Sequence, residues 1–372
     1  MGFIRFLLAC AVVLAHTSTI MGYSPVAGNL AVQCFYIISG FYMAMVLTEK
    51  YNKPGASYQF YTNRALKIYP AYWLNLILLI FWAVFVYHQH YPGTLDFYTK
   101  YAHPSLSTYI YLILANLLLI GLDWVFLLGI NKSGQLYFTG YFNSSKPSVY
   151  NFAFNGAAWT IGVELAFYLI APWLNKRKNY ILLTIFLLSL GLRLWCYHLQ
   201  DGPPWDYMFF PTQLIYFIGG MFSYRMYAKY IKNKASKALL YLFYGILLCV
   251  VLLYYQFFEE NYAKQIVLFL CIALCIPFAF ELTKKSRIDR FLGNLSYPIY
   301  IGQSLIIKIV SAKRFPKLID VGFTAVIIVI VYALIVQWLL NSPIEKYRAK
   351  RIKNFNAKTG ENTPVIPNLP LS

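Results

Sequence analysis

The chain has 372 residues, of which 59% are hydrophobic, 19% aromatic and only 12% charged. Soluble domains carry about 25% charged residues, so the composition excludes an ordinary soluble enzyme. The net charge of +19 invites a nucleic-acid reading, but the basic residues gather in short stretches between apolar runs, where they set membrane orientation and meet anionic lipid. Nucleic acid is therefore not expected as a partner, whereas membrane lipid is.

Apolar runs of roughly 18 to 22 residues recur along almost the whole length, the mark of a polytopic helical membrane protein. In hydrocarbon every backbone polar group must be satisfied internally, and the runs lack the strict alternation of a barrel, so the expected fold is all-α. The runs cover residues 3–21, 30–48, 71–88, 108–129, 157–174, 180–197, 208–227, 238–257, 264–282, 294–312 and 319–340. Residues 1–342 read as one transmembrane domain. Residues 343–372 read as a basic cytoplasmic tail whose last part is disordered.

The first segment mimics a signal peptide, but no convincing small-residue cleavage site follows, and it reads as an uncleaved helix. It carries Arg5 and His16. Eleven helical residues at about 100° each bring the two within about 20° of one face, some 16 Å apart along the axis. Arg5 is then near a membrane surface and His16 deeper on the same stripe. An ionisable residue there marks a functional site by default. The competing reading is an ordinary anchor and a hydrogen-bonded packing residue.

The second segment contains Phe35-Tyr36-Ile37-Ile38-Ser39-Gly40-Phe41. Gly40 permits close helix approach and Ser39 offers a hydroxyl, with packing the plainer explanation. The next loop holds Arg64 and Lys67, one turn apart on a short helix expected to end at Pro70. Two cations beside aromatic residues suit a phosphate-rich ligand, and equally suit interface anchoring.

Basic clusters after residues 49, 175, 224, 283 and 345 should all be cytoplasmic. Three full crossings between residues 71 and 175 would put Lys176, Arg177 and Lys178 on the wrong side, so one of the three segments does not span. The expected exception is 108–129, interrupted by Asp123 with Gly121 and Gly129 flanking the break, because broken backbone is tolerated where it lines a cavity. The result is about ten crossings plus one re-entrant or broken segment, with both termini cytoplasmic. The turn with Lys313, Arg314 and Lys317 then lies outside, against the charge rule.

Segment five carries Trp159, Glu164 and Tyr168. Glu164 is its one acidic residue well inside the span, and shares a face with Tyr168 by four-residue spacing. A buried carboxylate needs a partner, and His16 is one option. Segment ten carries Ser296, Tyr297 and Gln303 on an otherwise apolar helix, and Gly219-Gly220 in segment seven reads as helix packing. Cys271 and Cys275 are one turn apart with no further ligand at metal spacing, so no metal site is expected.

These stretches, in this order, resemble the integral-membrane acyltransferase-3 family, whose members O-acylate cell-surface and secreted glycans. The resemblance runs from the first segment to about Arg348. Arg5 and His16 meet the family's Arg-x10-His pattern, and Phe35 to Phe41 its aromatic Ser-Gly-Phe pattern. Arg64 to Pro70 meet its Arg-x-x-Arg-Ile-x-Pro pattern, with Lys67 for the second arginine. Trp159 to Tyr168 meet its Trp-Ser-Leu-x-Val-Glu-x-x-Phe-Tyr pattern, with Thr160 and Ile161 as departures. In Gly293 to Gln303 the glutamine stands where a histidine is usual, and Glu345 lacks the family's following proline.

The resemblance implies a cytoplasmic acyl-coenzyme A donor, acetyl-coenzyme A by family frequency, and no permanently bound cofactor. It implies a glycan hydroxyl as acceptor and the inner membrane of a bacterium as the location. It casts His16 as general base or transient acyl carrier and Glu164 as its orienting partner. Arg5, Arg64 and Lys67 become donor-binding residues. Ser39, Trp159, Tyr168, Ser296, Tyr297, Gln303 and Glu345 become supporting residues, Gln303 by hydrogen bonding alone. No residues are left for the extra esterase-like domain of some members. The main alternative is a transporter or flippase for a lipid-linked sugar. A non-catalytic scaffold for glycan-assembly proteins is the second, and leaves Arg5, His16 and Glu164 without a purpose.

Overall fold

The computed structural model describes the chain outside residues 21–22, 24, 54, 101–103, 200–203, 258–260, 313–314 and 359–372. Lys313, Arg314 and the end of the tail therefore lie outside the described residues. The helices are α1 (Gly2–Ala15), α2 (Gly28–Glu49), α3 (Ala56–His88), α4 (Thr94–Thr99), α5 (Leu106–Leu118), α6 (Trp159–Asn175), α7 (Asn179–Leu199), α8 (Phe210–Met226), α9 (Lys237–Phe257), α10 (Tyr262–Thr283), α11 (Arg287–Val310), α12 (Val321–Val336) and α13 (Ser342–Lys358). The strands among the described residues are β1 (Leu128–Ile130) and β2 (Leu136–Phe138), an antiparallel hairpin pairing Leu128 with Phe138. Seven described helices are long and apolar enough to cross a membrane. Large apolar side chains stand exposed on their outer faces, among them Phe81, Leu188, Val267 and Leu334, a pattern that suits lipid rather than water.

Two expected boundaries move. The first helix stops at Ala15, with His16 as its C-cap, rather than running to residue 21. The helix carrying Arg64 does not end at Pro70: α3 continues through it for 33 residues, about 50 Å at the α-helical rise. Proline removes one amide donor and crowds the carbonyl four residues back. The Tyr297 hydroxyl donates to the Ile68 carbonyl at this point, at 2.8 Å.

The chain divides into two compact units, one of Met1–Tyr72 with the chain from Gly219 onward and the other of Trp73–Ile218. In the first unit α2 is the central helix, buried on nearly all sides. Its Phe41 ring packs against Tyr224, Tyr227 and Phe280 at 5.3 to 5.8 Å. Beside α2, α1 packs along α11, and the two approach most closely where both helices carry glycine. A Cβ on Gly2 would fall 1.6 Å from the Asp289 carbonyl oxygen, and one on Gly293 would fall 2.8 Å from the Gly2 Cα. The Asp289 carboxylate accepts the amides of Gly2 and Phe3 at 2.7 and 2.9 Å, capping the first turn of α1 from outside its own chain segment. Below it Ala9 and Val13 pack with Leu295, Ile299, Ala325 and Val329. Small residues let these backbones approach where no hydrophobic force distinguishes protein from lipid.

The Gly219-Gly220 pair splits into two roles. A Cβ on Gly220 would lie 1.9 Å from the Ile37 carbonyl oxygen of α2, whereas one on Gly219 would meet nothing within 4 Å. Overpacking a tight contact costs about 1–3 kcal/mol or more. Gly220→Leu is expected to lower the melting temperature of the detergent-purified protein, and Gly219→Leu to leave it unchanged. Equal behaviour of the two variants would argue against the α2–α8 contact.

In the second unit the apolar stretch 108–129 is broken, as its sequence predicts. The helix ends at Leu118, Leu119 and Gly121 both take left-handed backbone (φ 64 and 77), and a 3-10 turn follows at Leu122–Phe126. Thirteen residues reach about 20 Å, short of the roughly 30 Å hydrocarbon layer. Gly129 has a different task, since a Cβ there would collide with the Tyr137 ring across the hairpin.

Candidate functional site

In the first unit several elements converge on one cleft. The close Gly2–Gly293 approach sets Arg5 one turn into α1, with its guanidinium 5.7 Å from the Tyr42 ring centre. From α3 come Leu66 and Lys67, and from the first turns of α11 come Asn294 and Tyr297. A π-helical turn at Gln337–Asn341 joins α12 to α13 and contributes Gln337 and Asn341. Ile344, Glu345 and Arg348 of α13 complete the lining of this partly open cleft.

The predicted donor-binding residues separate here. Arg5 and Lys67 line the cleft together. Arg64 is buried one turn earlier, its guanidinium 5.9 Å from the Phe60 ring centre and 4.0 Å from the Met43 sulfur. Arg64 is still within electrostatic reach of Lys67, as are Arg5, Arg348 and Glu345. The positive field extends to Lys50 at the end of α2, whose ammonium is pushed down to about 8 by burial and then by the Arg64 and Arg348 cations. Glu345 accepts from the Asn294 amide at 3.3 Å.

His16 sits at the other end of α1 from Arg5, and its side chain is exposed. Ser39 and Ser296 are buried. The Ser296 hydroxyl donates to the Gly293 carbonyl of its own helix at 2.7 Å, so its hydrogen-bonding capacity is spent partly on the turn beside Gly2. Gln303, in the histidine position of the family pattern, is 1% exposed. Its amide oxygen and nitrogen have no hydrogen-bond partner among the described residues. A buried primary amide in that state carries a desolvation cost, and α11 places it roughly 15 Å along the axis from Gly293.

In the second unit α6 opens at Trp159, just after a 3-10 turn at Gly156–Ala158. Trp159 packs edge-on against Phe126 and Tyr207, at 5.9 and 5.2 Å between ring centres. The Tyr168 hydroxyl donates to the Glu164 carboxylate, as the four-residue spacing predicts. Gly162 lets this face of α6 lie against the α5 break: a Cβ there would be 2.7 Å from the Leu119 carbonyl oxygen and 3.4 Å from the Asp123 carboxylate. Glu164 thus belongs to the second unit and His16 to the first.

Other polar residues gather at these places without standing out in the sequence. Asn155 donates to Asn75 at 3.1 Å, and both are wholly buried. Asn116 donates to the Phe152 carbonyl and accepts the Phe154 amide, at 3.1 and 2.9 Å. These three asparagines hold the segment that leads into Trp159. An asparagine within a long apolar run is the signal that could have found Asn75 and Asn116. Arg348 was hidden in a basic cluster, where only its full burial separates it from its exposed neighbours.

A family model described as an acyltransferase domain, that of the acyltransferase-3 family, matches residues 1–342. Comparison with curated proteins and comparison with solved structures gave no significant match.

Proposed function

Since the chain belongs to the acyltransferase-3 family and is an acyltransferase, we propose that it moves an acyl group, acetyl in the simplest case, from acyl-coenzyme A to a hydroxyl of a cell-surface or exported glycan. The observation that carries this reading is the convergence of Arg5 and Lys67 in one cleft. Phosphate-bearing donors are held by such cations through charge-assisted hydrogen bonds.

In this reaction the glycan hydroxyl oxygen attacks the thioester carbonyl carbon. A bond forms between them, the carbon–sulfur bond breaks, and coenzyme A leaves as the thiol. His16 takes the hydroxyl proton as general base and returns it to the departing sulfur. Glu164 is the second residue that the family pattern assigns to this chemistry, as support for a charged base. Lys67 supplies charge without the bidentate fork of an arginine, so it acts on the donor phosphates as a point charge. The donor enters from the cytoplasm and the acceptor lies toward the outer face of a bacterial inner membrane. About ten crossings with both termini cytoplasmic, plus the broken α5 segment, complete this arrangement.

The test is the mass of surface glycans from cells with and without the protein. An acyl-sized increment only in its presence is the expected result, and its size identifies the acyl group. Equal masses with a changed quantity of surface glycan would instead favour transport of a lipid-linked sugar.

A further inference from the structure

The match to the family model ends at residue 342, yet the cleft that holds Arg5 and Lys67 does not. One wall is made by α13, which begins at Ser342. Three features show a built wall rather than a trailing tail. The π turn at Gln337–Asn341 re-phases the helix and aims Gln337 and Asn341 at the same space; π turns inside helices concentrate at functional sites. The Arg351 guanidinium reaches Thr62 and Gln59 of α3 at 3.1 and 3.4 Å, fastening α13 to the helix that carries Lys67. The third feature is Arg348, 1% exposed and lining the cleft, the largest of the wholly buried side chains.

A long cation is rarely buried, and one placed beside two others needs a reason. The ionisable lining of the cleft is Arg5, Lys67 and Arg348 against Glu345, three positive charges and one negative. Structural ion pairing alone would balance these charges. An excess of two positive charges in a cleft open to a ligand matches a phosphate group, and a guanidinium fork matches it bidentately. Glu345 is held by Asn294, which leaves it as the wall's fixed counter-charge.

We propose that Arg348 is a phosphate-binding residue, and that α13 completes the donor cleft with Arg348, Arg5 and Lys67 around one phosphate group. This rests on the donor reading above for the source of that phosphate. The same chemistry is offered by the headgroup of an anionic lipid, and the experiment separates the two.

Full-length protein is placed in nanodiscs of zwitterionic lipid, and binding of coenzyme A, 3′-dephospho-coenzyme A and phosphate-free pantetheine is measured for the wild type, Arg348→Gln and Arg348→Lys. A charge-assisted hydrogen bond supports a change of about 10- to 100-fold. The expected result is that Arg348→Gln weakens coenzyme A by that factor and leaves pantetheine unchanged, with Arg348→Lys between it and the wild type. Pantetheine binding also reports that the variant is folded. If Arg348→Gln fails to fold, Arg348→Lys carries the test through its ratio of coenzyme A to pantetheine affinity. A parallel set in nanodiscs containing phosphatidylglycerol measures the anionic lipid retained. Loss of retained phosphatidylglycerol in Arg348→Gln with coenzyme A affinity intact assigns the phosphate to lipid. Unchanged coenzyme A affinity and unchanged lipid retention overturn the inference. Wild-type protein that binds no coenzyme A overturns the donor reading instead, and the lipid arm then decides Arg348 alone.

Discussion

His16→Ala is expected to lower acyl transfer by about 10² to 10⁴-fold, the usual contribution of a positioned general base, while the protein inserts and purifies as the wild type does. The structure makes the second half of this expectation reasonable. His16 caps α1 through its backbone, its amide donating to the Val13 carbonyl at 3.2 Å, and its ring is exposed. Truncation to alanine therefore opens no core cavity. The contacts that hold α1 lie elsewhere, at the Gly2–Gly293 approach and in the Ala9–Val13 cluster. Transfer is measured as acylated glycan formed per enzyme, with membrane-inserted protein quantified in the same cells. Transfer retained within a few-fold would remove His16 from the chemistry. Incubating purified protein with acyl-coenzyme A and no acceptor then separates the two roles open to His16. An acyl-sized gain in intact mass on the wild type, absent from His16→Ala, marks a transient carrier, and no gain marks a general base.

Arg193→Ala is expected to destabilise the second unit by about 3–5 kcal/mol, the range for breaking a buried pair from one side. Arg193 lies on α7, and its guanidinium donates to the Asp206 carbonyl and stands 3.8 Å from the Asp206 carboxylate. Both side chains are at most 10% exposed. The Tyr216 ring covers the guanidinium at 5.5 Å, and Gln213 donates to the same Asp206 carbonyl at 2.8 Å. Removing the arginine leaves a carboxylate buried without its cation. Removing both charges avoids that state, so Arg193→Met with Asp206→Asn should recover much of the loss, and the double-mutant cycle gives the coupling. Thermal or denaturant unfolding in detergent reads Arg193→Ala, Arg193→Met, Asp206→Asn and the double variant. A loss under about 1 kcal/mol for Arg193→Ala would mean the pair behaves as a solvated surface bridge.

The sequence by itself determined the class of the protein. Long apolar runs with few charges leave hydrocarbon as the only solvent that suits them, and hydrogen bonding in hydrocarbon leaves helices. It determined the break after α5, because Gly121 and Asp123 oppose a helix locally, whatever packs around them. The Glu164–Tyr168 pair was legible for the same reason: four-residue spacing on a helix is a local rule. The ordered motifs carried the family, which the match over residues 1–342 establishes.

Tertiary structure decided what local rules could not. Pro70 does not end α3: the helix runs on through it, and beside it the Tyr297 hydroxyl of α11 donates to the Ile68 carbonyl. Which of two adjacent glycines is a contact depends on where α2 lies, and only Gly220 faces Ile37. Lys67 rather than Arg64 lines the cleft with Arg5 because of the face of α3 that α11 and α13 meet. Arg348 is the clearest case. In sequence it is one basic residue among several in a polar stretch, indistinguishable from lysines that only meet lipid headgroups. Burial and convergence are properties of helices far apart in the chain, so only the fold could single it out.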